Sequence, residues 1–486
     1  MEIKEFEPMK ISLEKDYVGF EKVREGLYDT INLLKFLKEL NDSGEKEKFK
    51  ALLSSGSGTI ITGDTGAGKT YALHAIANEA KKLGYKIIDG SEISDDASIE
   101  EFFEKCRTEA ESSPILIIFD DRRDLLGSEP KRQTEDFFGG VSLSLFDTKE
   151  AISLDKFRRQ IDKIYEYENP AHIILTAAAN PAIIDKQILR RLRKLIHIPN
   201  PNVKSREELW KYYLNKYGLN ADSLDLQTFS YLTEGLNAGK IAEIVSDVAY
   251  RSRLNKKITN KLVIEEIIKA LHGPSTTDIL ENEKELIKNG YHETSHLVCA
   301  VRIGLQPILI SIEPTVNALG EIQVVPSSKI PEGSSKHYFA NVVHAMGSTA
   351  IYEELREGGE EGRESDLRDA STNALKLYFL KNPLPGIEIK SSSINGNEPY
   401  FLHMSERKKE EMEDEVERIL DTGKEMAREI IREYKNEIKE FVEDYLFPNR
   451  TLAGNEILDS FRDLGIIPGG DYDKFEKALK ELGYLV

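Results

Sequence analysis

The chain has 486 residues, of which 40% are hydrophobic and 31% charged; this length provides for about three domains of ~150 residues each, and the composition excludes a disordered or fibrous protein. Its formal net charge of -19 at pH 7 argues against a nucleic-acid partner, because nucleic-acid binding usually shows a basic surface. The chain has only two cysteines, which argues against a disulfide scaffold. It has no apolar run near the ~18–20 residues of a membrane span, and its first segment, MEIKEFEPMK, is acidic and does not resemble a signal peptide. We therefore expect a cytoplasmic protein.

The first half of the chain begins with a polar segment, residues 1–16, followed by a helical pattern at Gly19–Leu40. Apolar strands then alternate with helical stretches, which predicts a parallel sheet with crossover helices. The strand candidates are Thr59–Thr62, Tyr85–Asp89, Ile115–Asp120, His172–Ala177 and Ile196–Ile198. Residues 203–271 show only helical spacing of apolar residues, so we expect a small helical subdomain after the α/β part.

The second half of the chain has a different character, with more helix and fewer strands. The turn-forming segment HGPSTTD at 272–278 separates the halves. Beyond it, short strands are predicted at Ile308–Ile312 and Ile322–Val325. A long helical pattern runs from Ser405 to Phe447, and we expect it to break near Gly423 into two packed helices.

A glycine-rich segment, GDTGAGKT at residues 63–70, matches the pattern G-x-x-x-x-G-K-[ST] between a predicted strand and a predicted helix. Glycines let backbone N–H groups wrap phosphates, and a helix start favours their negative charge. Lys69 would reach the β- and γ-phosphates of a nucleotide, and Thr70 would bind Mg²⁺. The alternative, a chance glycine-rich turn, is disfavoured by the strand–loop–helix context. The predicted nucleotide-binding residues are Gly63, Asp64, Thr65, Gly66, Ala67, Gly68, Lys69 and Thr70.

Two acids, Asp120 and Asp121, end the apolar strand candidate Ile115–Asp120. A carboxylate at that edge can hold Mg²⁺, and a neighbouring acid can polarise the attacking water. Buried strands often end in acids, so this pair alone indicates little. Together with the glycine-rich segment it predicts an ATP–Mg²⁺ site, with Asp120 at the metal and Asp121 in a catalytic position.

The sequence His292-Glu293-Thr294-Ser295-His296 is an H-E-x-x-H motif within a helical pattern. Positions i and i+4 share a helix face, so both imidazoles can bind one metal ion, and Glu293 can take a proton from the metal-bound water. The alternative is a pair of histidines that are satisfied within the core or at the surface. The third ligand must come from elsewhere, and GRESDLRDAS at 362–371 offers Asp366.

The motifs of the first half resemble those of AAA ATPases over about residues 17–271. DYVGFEKVREGL resembles the family's entry segment, IIFDDRRDLLG its Walker B region and GLNAGKIAEIV its sensor-2 helix. The resemblance implies that Asn180, in LTAAANP, is the sensor-1 residue that helps orient water. It also implies that Arg190 and Arg191, in DKQILRRLRKLIHIPNP, are arginine fingers reaching a neighbouring subunit, so that the active form is a ring, usually a hexamer. A solvated basic helix end is the alternative for these arginines.

The second half resembles the peptidase domain of FtsH-type AAA proteases over about residues 279–465. That family carries HEAGH and a later S-N-D-[IL] segment, where this chain has HETSH and Ser365-Asp366-Leu367. HMSERKKEEMEDEVERILDTGKEMAREII resembles a further helical segment of the family. The resemblance implies that Asp366 is the third zinc ligand.

The expected fold is therefore an α/β AAA ATPase with a parallel sheet core at 17–202 and a helical lid at 203–271. A mainly α-helical zinc metallopeptidase domain follows at 279–486. The expected function is that of an ATP-dependent zinc endopeptidase using Zn²⁺, ATP and Mg²⁺, acting on protein or peptide substrates as a homohexameric ring.

Two departures from the family keep other functions open. The segment GSEISDDASIEE, between Asp89 and Phe102, lacks the aromatic pore-loop residue that would grip a polypeptide, for which Phe137-Phe138-Gly139-Gly140 is a candidate substitute. Asp121 also replaces the expected glutamate. One alternative is therefore an ATP-controlled chaperone or assembly factor with weak or lost proteolysis. Another is a peptidase whose ATPase part serves as an oligomerisation scaffold.

Overall fold

The computed structural model describes residues 3–54, 56–127, 154–255, 257–276, 283–355, 363–382 and 405–485. Within these ranges, none of the helices is both long and apolar enough to cross a membrane. The chain divides into two compact units, residues 1–263 and 264–486, each with a core of its own.

A mixed sheet forms the centre of the first unit. Its strands are β1 (Lys4–Glu5), β2 (Gly58–Gly63), β3 (Lys86–Asp89), β4 (Ile115–Phe119), β5 (Ala171–Ala177) and β6 (Arg193–Ile198). They lie in the order β1-β3-β4-β5-β2-β6, and all neighbours are parallel except β1, which is antiparallel to β3. Every residue of β2, β4 and β5 is buried, as expected of central strands covered on both faces. The predicted parallel sheet is confirmed.

Helices cover both faces of this sheet and continue beyond it. They are α1 (Glu21–Asp42), α2 (Lys46–Ser54), α3 (Lys69–Lys82), α4 (Asp96–Glu109), α5 (Leu154–Lys163), α6 (Lys186–Leu192), α7 (Val203–Lys216), α8 (Leu226–Leu232), α9 (Ala238–Asn255) and α10 (Asn260–His272). Apolar residues of α1 and α3 form the core on one face, and those of α4, α5 and α6 form the core on the other. Because the strands are parallel, the ends of β2, β4 and β5 meet at one edge, where ligands bind in open α/β sheets.

The N-terminal segment, which the sequence suggests only to be polar, is part of the first unit. β1 extends the sheet edge, and Ile11 and Leu13 are buried. The Met9 N–H donates to His74 Nδ1 at 3.1 Å, and Asn78 Nδ2 donates to the carbonyl oxygen of Ile11 at 3.2 Å. These contacts fasten the segment to α3, the helix that follows the glycine-rich loop.

The second unit is mainly helical. Its helices are α11 (Glu283–Ile303), α12 (Ser335–Ala345), α13 (Gly347–Leu355), α14 (Arg363–Lys381), α15 (Glu406–Glu433), α16 (Lys435–Glu440), α17 (Phe447–Asn449), α18 (Asn455–Asp463) and α19 (Tyr472–Glu481), with a π-helical segment at Phe441–Leu446. Its antiparallel strands are β7 (Gln306–Ser311), β8 (Glu321–Val325) and β9 (Thr451–Ala453), in the order β8-β7-β9. The sequence predicts β7 and β8 but not the three-residue β9. α11 is buried on all sides from His296 to Ile303, as in a central core helix.

The expected break near Gly423 is wrong, because α15 continues through this residue to Glu433. A Cβ atom at position 423 would lie 2.6 Å from Cγ1 of Val342 on α12. The glycine therefore permits the close approach of two helices, and it does not end one. Glycine costs only about 1 kcal/mol in a helix interior, which the packing of a long amphipathic helix can offset.

Candidate nucleotide and metal sites

The glycine-rich loop joins β2 to α3 at the carboxyl edge of the sheet. Gly66 and Gly68 have φ values of +84° and +99°, a left-handed conformation that glycine adopts without strain. Lys69 is buried, and its Nζ donates to the carbonyl oxygens of Gly63 and Asp64 at 3.0 and 2.9 Å. Burial lowers the pKa of Lys69, against the opposing charges of Asp121, Asp120 and Asp64. The first N–H groups of α3 and the ammonium group of Lys69 therefore lie together at this loop. Both favour the negative charge of phosphate groups.

Asp120 lies beside the first turn of α3, as a shared Mg²⁺ site requires. The Thr70 hydroxyl donates to Asp120 Oδ2 at 3.2 Å, and the Thr176 hydroxyl donates to Asp120 Oδ1. Asp121 follows with a φ of +53°, and its N–H donates to the Thr176 hydroxyl oxygen at 2.9 Å. Thr176, at the end of β5, therefore fixes both acids. Thr176 was not predicted from the sequence, although it lies at the carboxyl end of a central strand.

Asn180, the predicted sensor-1 residue, follows β5 and therefore lies at the same carboxyl edge of the sheet, whereas Arg190 and Arg191 precede β6 and lie near the amino end of β2. Asn180 is exposed, and its Oδ1 accepts from the Ala182 N–H at 2.9 Å, which caps a short 3-10 turn. Phe137–Gly140, the candidate substitute for the pore aromatic, lies outside the described residues.

The two predicted arginine fingers have different surroundings. Arg191 donates from Nε and one Nη to the two carboxylate oxygens of Asp162, both at 2.8 Å. Arg190 is exposed on α6, and no ion pair or hydrogen bond of its side chain exists in the part of the chain that the structure describes. Only Arg190 therefore has a guanidinium group that is not already held by its own subunit.

The start of α9 closes one side of the glycine-rich loop. The Gly239 N–H donates to the Gly66 carbonyl oxygen at 2.9 Å, and Asn237 Nδ2 donates to the Thr65 carbonyl oxygen at 2.8 Å. A Cβ atom at Gly239 would lie 3.0 Å from that same Gly66 oxygen, which explains the small residue. The helical part after β6 thus contacts the phosphate loop through its backbone and through Asn237, a residue that the sequence analysis did not single out.

In the second unit, two histidines of α11 and one aspartate of α14 bring three donor atoms together. His292 Nε2 lies 3.2 Å from His296 Nε2, and Asp366 Oδ2 lies 3.3 Å from the former and 3.2 Å from the latter. A tetrahedral zinc ion with bonds of ~2.0–2.1 Å separates its ligands by about 3.3 Å. The residues therefore fit zinc both in donor chemistry and in spacing, with a fourth position open.

Groups behind the ligands fix their orientation. His296 Nδ1 donates to the carbonyl oxygen of His344 at 2.7 Å, which leaves the Nε2 lone pair directed toward the other donors. The Ser348 hydroxyl donates to Asp366 Oδ2 at 2.6 Å. Neither His344 nor Ser348 was identified from the sequence, because both contacts depend on how α12 and α13 pack against α11 and α14.

The charges of the site favour an ionised Asp366. Burial opposes ionisation, but the His292 and His296 imidazoles, which lie within hydrogen-bond distance of the carboxylate, hold the pKa of Asp366 far below its ordinary value. Burial would lower the pKa of His296, and the adjacent Asp366 carboxylate raises it overall. Burial raises the pKa of Glu293, and the imidazoles oppose this effect. An anionic carboxylate next to two imidazoles is the electrostatic setting that a divalent cation stabilises.

The donor atoms open into a cavity of about 610 Å³. Glu293 lines this cavity beside the ligands, and so do Ile322 of β8 and Gly320 in the preceding loop. A Cβ atom at Gly320 would lie 2.9 Å from Glu293 Oε1, so the loop passes close over the carboxylate. The cavity is thus large enough to accept part of a polypeptide at the metal position.

Comparison with known proteins gives two family matches. Residues 59–200 match the ATPase family associated with various cellular activities (AAA), and residues 277–459 match peptidase family M41. The first range contains the glycine-rich loop and the strand ends, and the second contains all three metal-ligand candidates.

Several known proteins are similar to this chain over three quarters or more of its length. ATP-dependent zinc metalloprotease FtsH 2 of Phytoplasma mali (strain AT) is 24% identical over 482 residues, covering 96% of this chain and 65% of its own length. FtsH 1 of Rhodopirellula baltica is 28% identical over 432 residues (85% and 60%), and FtsH of Magnetococcus marinus is 25% identical over 377 residues (75% and 52%). The chain thus spans about three fifths of the length of these relatives. Among solved structures, one chain of an E. coli MS115-1 HORMA:CdnC:Trip13 complex has a TM-score of 0.40 at 16% identity, over 52% of this chain and 88% of that one, too little to support an argument.

These matches agree with the architecture. The predicted fold class, an α/β AAA part followed by a mainly helical peptidase part, is confirmed. Zn²⁺ and ATP with Mg²⁺ are the cofactors that this pairing implies, as the sequence predicts. The chain therefore combines an AAA-type ATPase part with an M41-type peptidase part, and over most of its length it is similar to FtsH-type AAA zinc metalloproteases.

Proposed function

We propose that this chain is an ATP-dependent zinc endopeptidase that degrades protein or peptide substrates as a homo-oligomeric ring, hexameric as is usual for AAA proteins. The observation that carries the proposal is the convergence of His292, His296 and Asp366 at zinc-ligand spacing, with Glu293 in the same cavity. Asp366 lies 74 positions from His292 in the sequence, and a histidine pair with a purely structural role would not need a distant carboxylate at this spacing.

The peptidase part would hold Zn²⁺ by His292, His296 and Asp366. When bound there, zinc lowers the pKa of a coordinated water to ~7 and polarises a carbonyl oxygen. Glu293 would accept the proton of the attacking water and return it to the leaving amine. Burial raises the pKa of Glu293, which makes its carboxylate a stronger base than an exposed glutamate.

Strand β8 supports an extended substrate. It lies at the edge of its three-stranded sheet, so its outer backbone groups face away from β7. Ile322 of β8 also lines the cavity. A substrate segment that pairs with this edge would run past the metal ligands, and main-chain hydrogen bonds would hold it with little dependence on sequence.

The ATPase part would bind nucleotide through residues 63–70. Lys69 would contact the β- and γ-phosphates, Thr70 and Asp120 would hold Mg²⁺, and Asp121 and Asn180 would orient water. The contact of Thr70 with Asp120, at 3.2 Å, supports the Mg²⁺ role. The backbone N–H of Asp121 donates to the Thr176 hydroxyl oxygen at 2.9 Å, which holds this residue next to Asp120.

The ring assembly places an arginine of one subunit at the nucleotide of the next. Arg190 is the better candidate of the two predicted fingers, because Arg191 is bound bidentately by Asp162 of the same subunit. Binding to a neighbour would cost Arg191 that ion pair. The boundaries 17–202, 203–271 and 279–486, and a cytoplasmic location, stay predictions.

Degradation of casein and of a stably folded reporter tests the function. We expect ATP-dependent cleavage that a zinc chelator and Glu293→Gln abolish, whereas Glu410→Gln, at an exposed residue of α15, has no effect. Unchanged casein cleavage by Glu293→Gln would refute the peptidase mechanism. A purified protein that binds no zinc would favour the chaperone alternative. Undiminished cleavage of the folded reporter by Lys69→Ala would favour the oligomerisation-scaffold alternative.

A further inference from the structure

Among the described residues, the wall of the metal cavity is polar and contains no lysine or arginine. Fifteen described residues line it, none of them lysine or arginine. Four are asparagines and three are carboxylates. The asparagines are Asn289, Asn317, Asn341 and Asn373, and the carboxylates are Glu293, Asp366 and Asp369. An apolar substrate side chain would therefore find few apolar partners here, whereas a polar or basic one would find hydrogen-bond acceptors.

One face of α14 supplies much of this wall. Asp366, Asp369 and Asn373 are spaced i, i+3 and i+7, so they lie on the same side of the helix. Asp369 is one turn beyond the metal ligand, a rise of about 4.5 Å. Asn373 Nδ2 donates to the Asp369 carbonyl oxygen at 2.9 Å, and Asn341 Nδ2 on α12 lies 3.5 Å from Asn373 Oδ1. Asp369 thus lines the same cavity as the metal ligand, one helical turn further along α14.

The charge balance of the cavity depends on Asp369. The carboxylates of Asp366 and Glu293 would balance the two positive charges of a zinc ion. The negative charge of Asp369 would then remain without a balancing positive charge. In the described part of the chain the Asp369 carboxylate has neither an ion pair nor a hydrogen bond, and its side chain is exposed to solvent. The nearest basic residue on the same helix face, Lys376, is directed over the Tyr338 ring at 5.9 Å. A cation supplied by the substrate would complete the pairing.

We propose that Asp369, with Asn341 and Asn373 beside it, is a specificity-determining residue that selects substrates with a lysine or arginine next to the scissile bond. This inference rests on the proposed peptidase function and adds the class of substrate side chain. The carboxylate contacts the substrate ammonium or guanidinium group, and the two asparagine amides accept its remaining hydrogen bonds. Asp369 acts on substrate binding and orientation and takes no part in proton transfer.

Cleavage of three internally quenched peptides by the protein with bound zinc tests this role. The peptides are identical except for lysine, glutamate or norleucine, which has a similar length to lysine and no charge, on either side of the scissile bond. We expect the ratio of kcat/KM for lysine over norleucine to exceed one in the wild type. In Asp369→Asn the ratio falls about fivefold, the range of one exposed charge pair, and mainly through KM. Asp369→Lys is expected to reverse the preference in favour of a glutamate peptide.

A matched control separates this role from a general effect of charge on α14. Glu364 lies on the same helix, pairs with Arg368 at 3.1 Å and does not line the cavity, so Glu364→Gln should leave the ratio unchanged. Zinc content, measured by elemental analysis, shows that each variant retains its metal site. Zinc-dependent cleavage with the same ratio in wild type and Asp369→Asn would overturn the inference and leave the peptidase function intact. No cleavage of any peptide by the zinc-loaded wild type would overturn both.

Discussion

Gly320→Ala should impair catalysis while the metal site stays intact. The three atoms nearest to an added Cβ all belong to Glu293, with Oε1 at 2.9 Å, Cγ at 3.0 Å and Cδ at 3.2 Å. Gly320 has no positive φ value, so alanine fits its backbone. The added methyl group therefore acts on the Glu293 carboxylate, which is the mobile end of a side chain.

The size of the effect follows from these distances. Carbon atoms pack best at about 3.5–4.0 Å, so the Glu293 carboxylate must move by roughly 0.5 Å or more. A displacement of about 1 Å at a reacting group costs roughly 100-fold in rate, so half of it corresponds to about tenfold in kcat. Zinc affinity should not change, since no ligand atom is among the nearest neighbours of the added methyl.

Peptide cleavage and zinc content together test this reasoning. Gly26→Ala is the matched control, because its added carbon would lie 3.5 Å from the nearest atom, in Ile196, which is ordinary contact. We expect normal zinc content in both variants and reduced kcat only in Gly320→Ala. A kcat within twofold of the wild type, or loss of zinc from Gly320→Ala, would show that the loop does not position Glu293 in this way.

Three further variants test the site and the packing. Ser348→Ala removes the 2.6 Å hydrogen bond to Asp366, so zinc titration should show affinity about 10- to 100-fold weaker; unchanged affinity would exclude the orienting role. Burial lowers the pKa of His172 to about 3, so the unfolded state binds more protons than the folded state below pH 6.5. The free energy of unfolding should therefore fall by up to about 5 kcal/mol as the pH drops from 6.5 to 3. His172→Gln should reduce this pH dependence in urea titrations. Gly423→Ala, 2.6 Å from Val342, should lower the free energy of unfolding by about 1–3 kcal/mol in thermal denaturation, and an added Val342→Ala should restore part of it.

Local sequence spacing determined the parts of this protein whose chemistry lies within one element. The eight residues 63–70 form a phosphate loop because glycines and a helix start are adjacent in the chain. His292 and His296 share a helix face because 3.6 residues make one turn. The alternation of strands and helices likewise predicted the parallel sheet. Each of these features depends on backbone geometry over a few residues, which the sequence specifies directly.

Only the tertiary structure decided how distant residues meet. No periodicity relates Ser348 to Asp366, or Arg191 to Asp162, because these contacts arise where separate helices pack. Gly423 is a second example. The absence of a side chain lets α15 approach Val342 of α12 closely, and the sequence around Gly423 does not indicate this contact. Propensity and spacing act along the chain, whereas the orientation of Asp366 by Ser348, the pairing of Arg191 and the wall of the metal cavity depend on how separate helices pack.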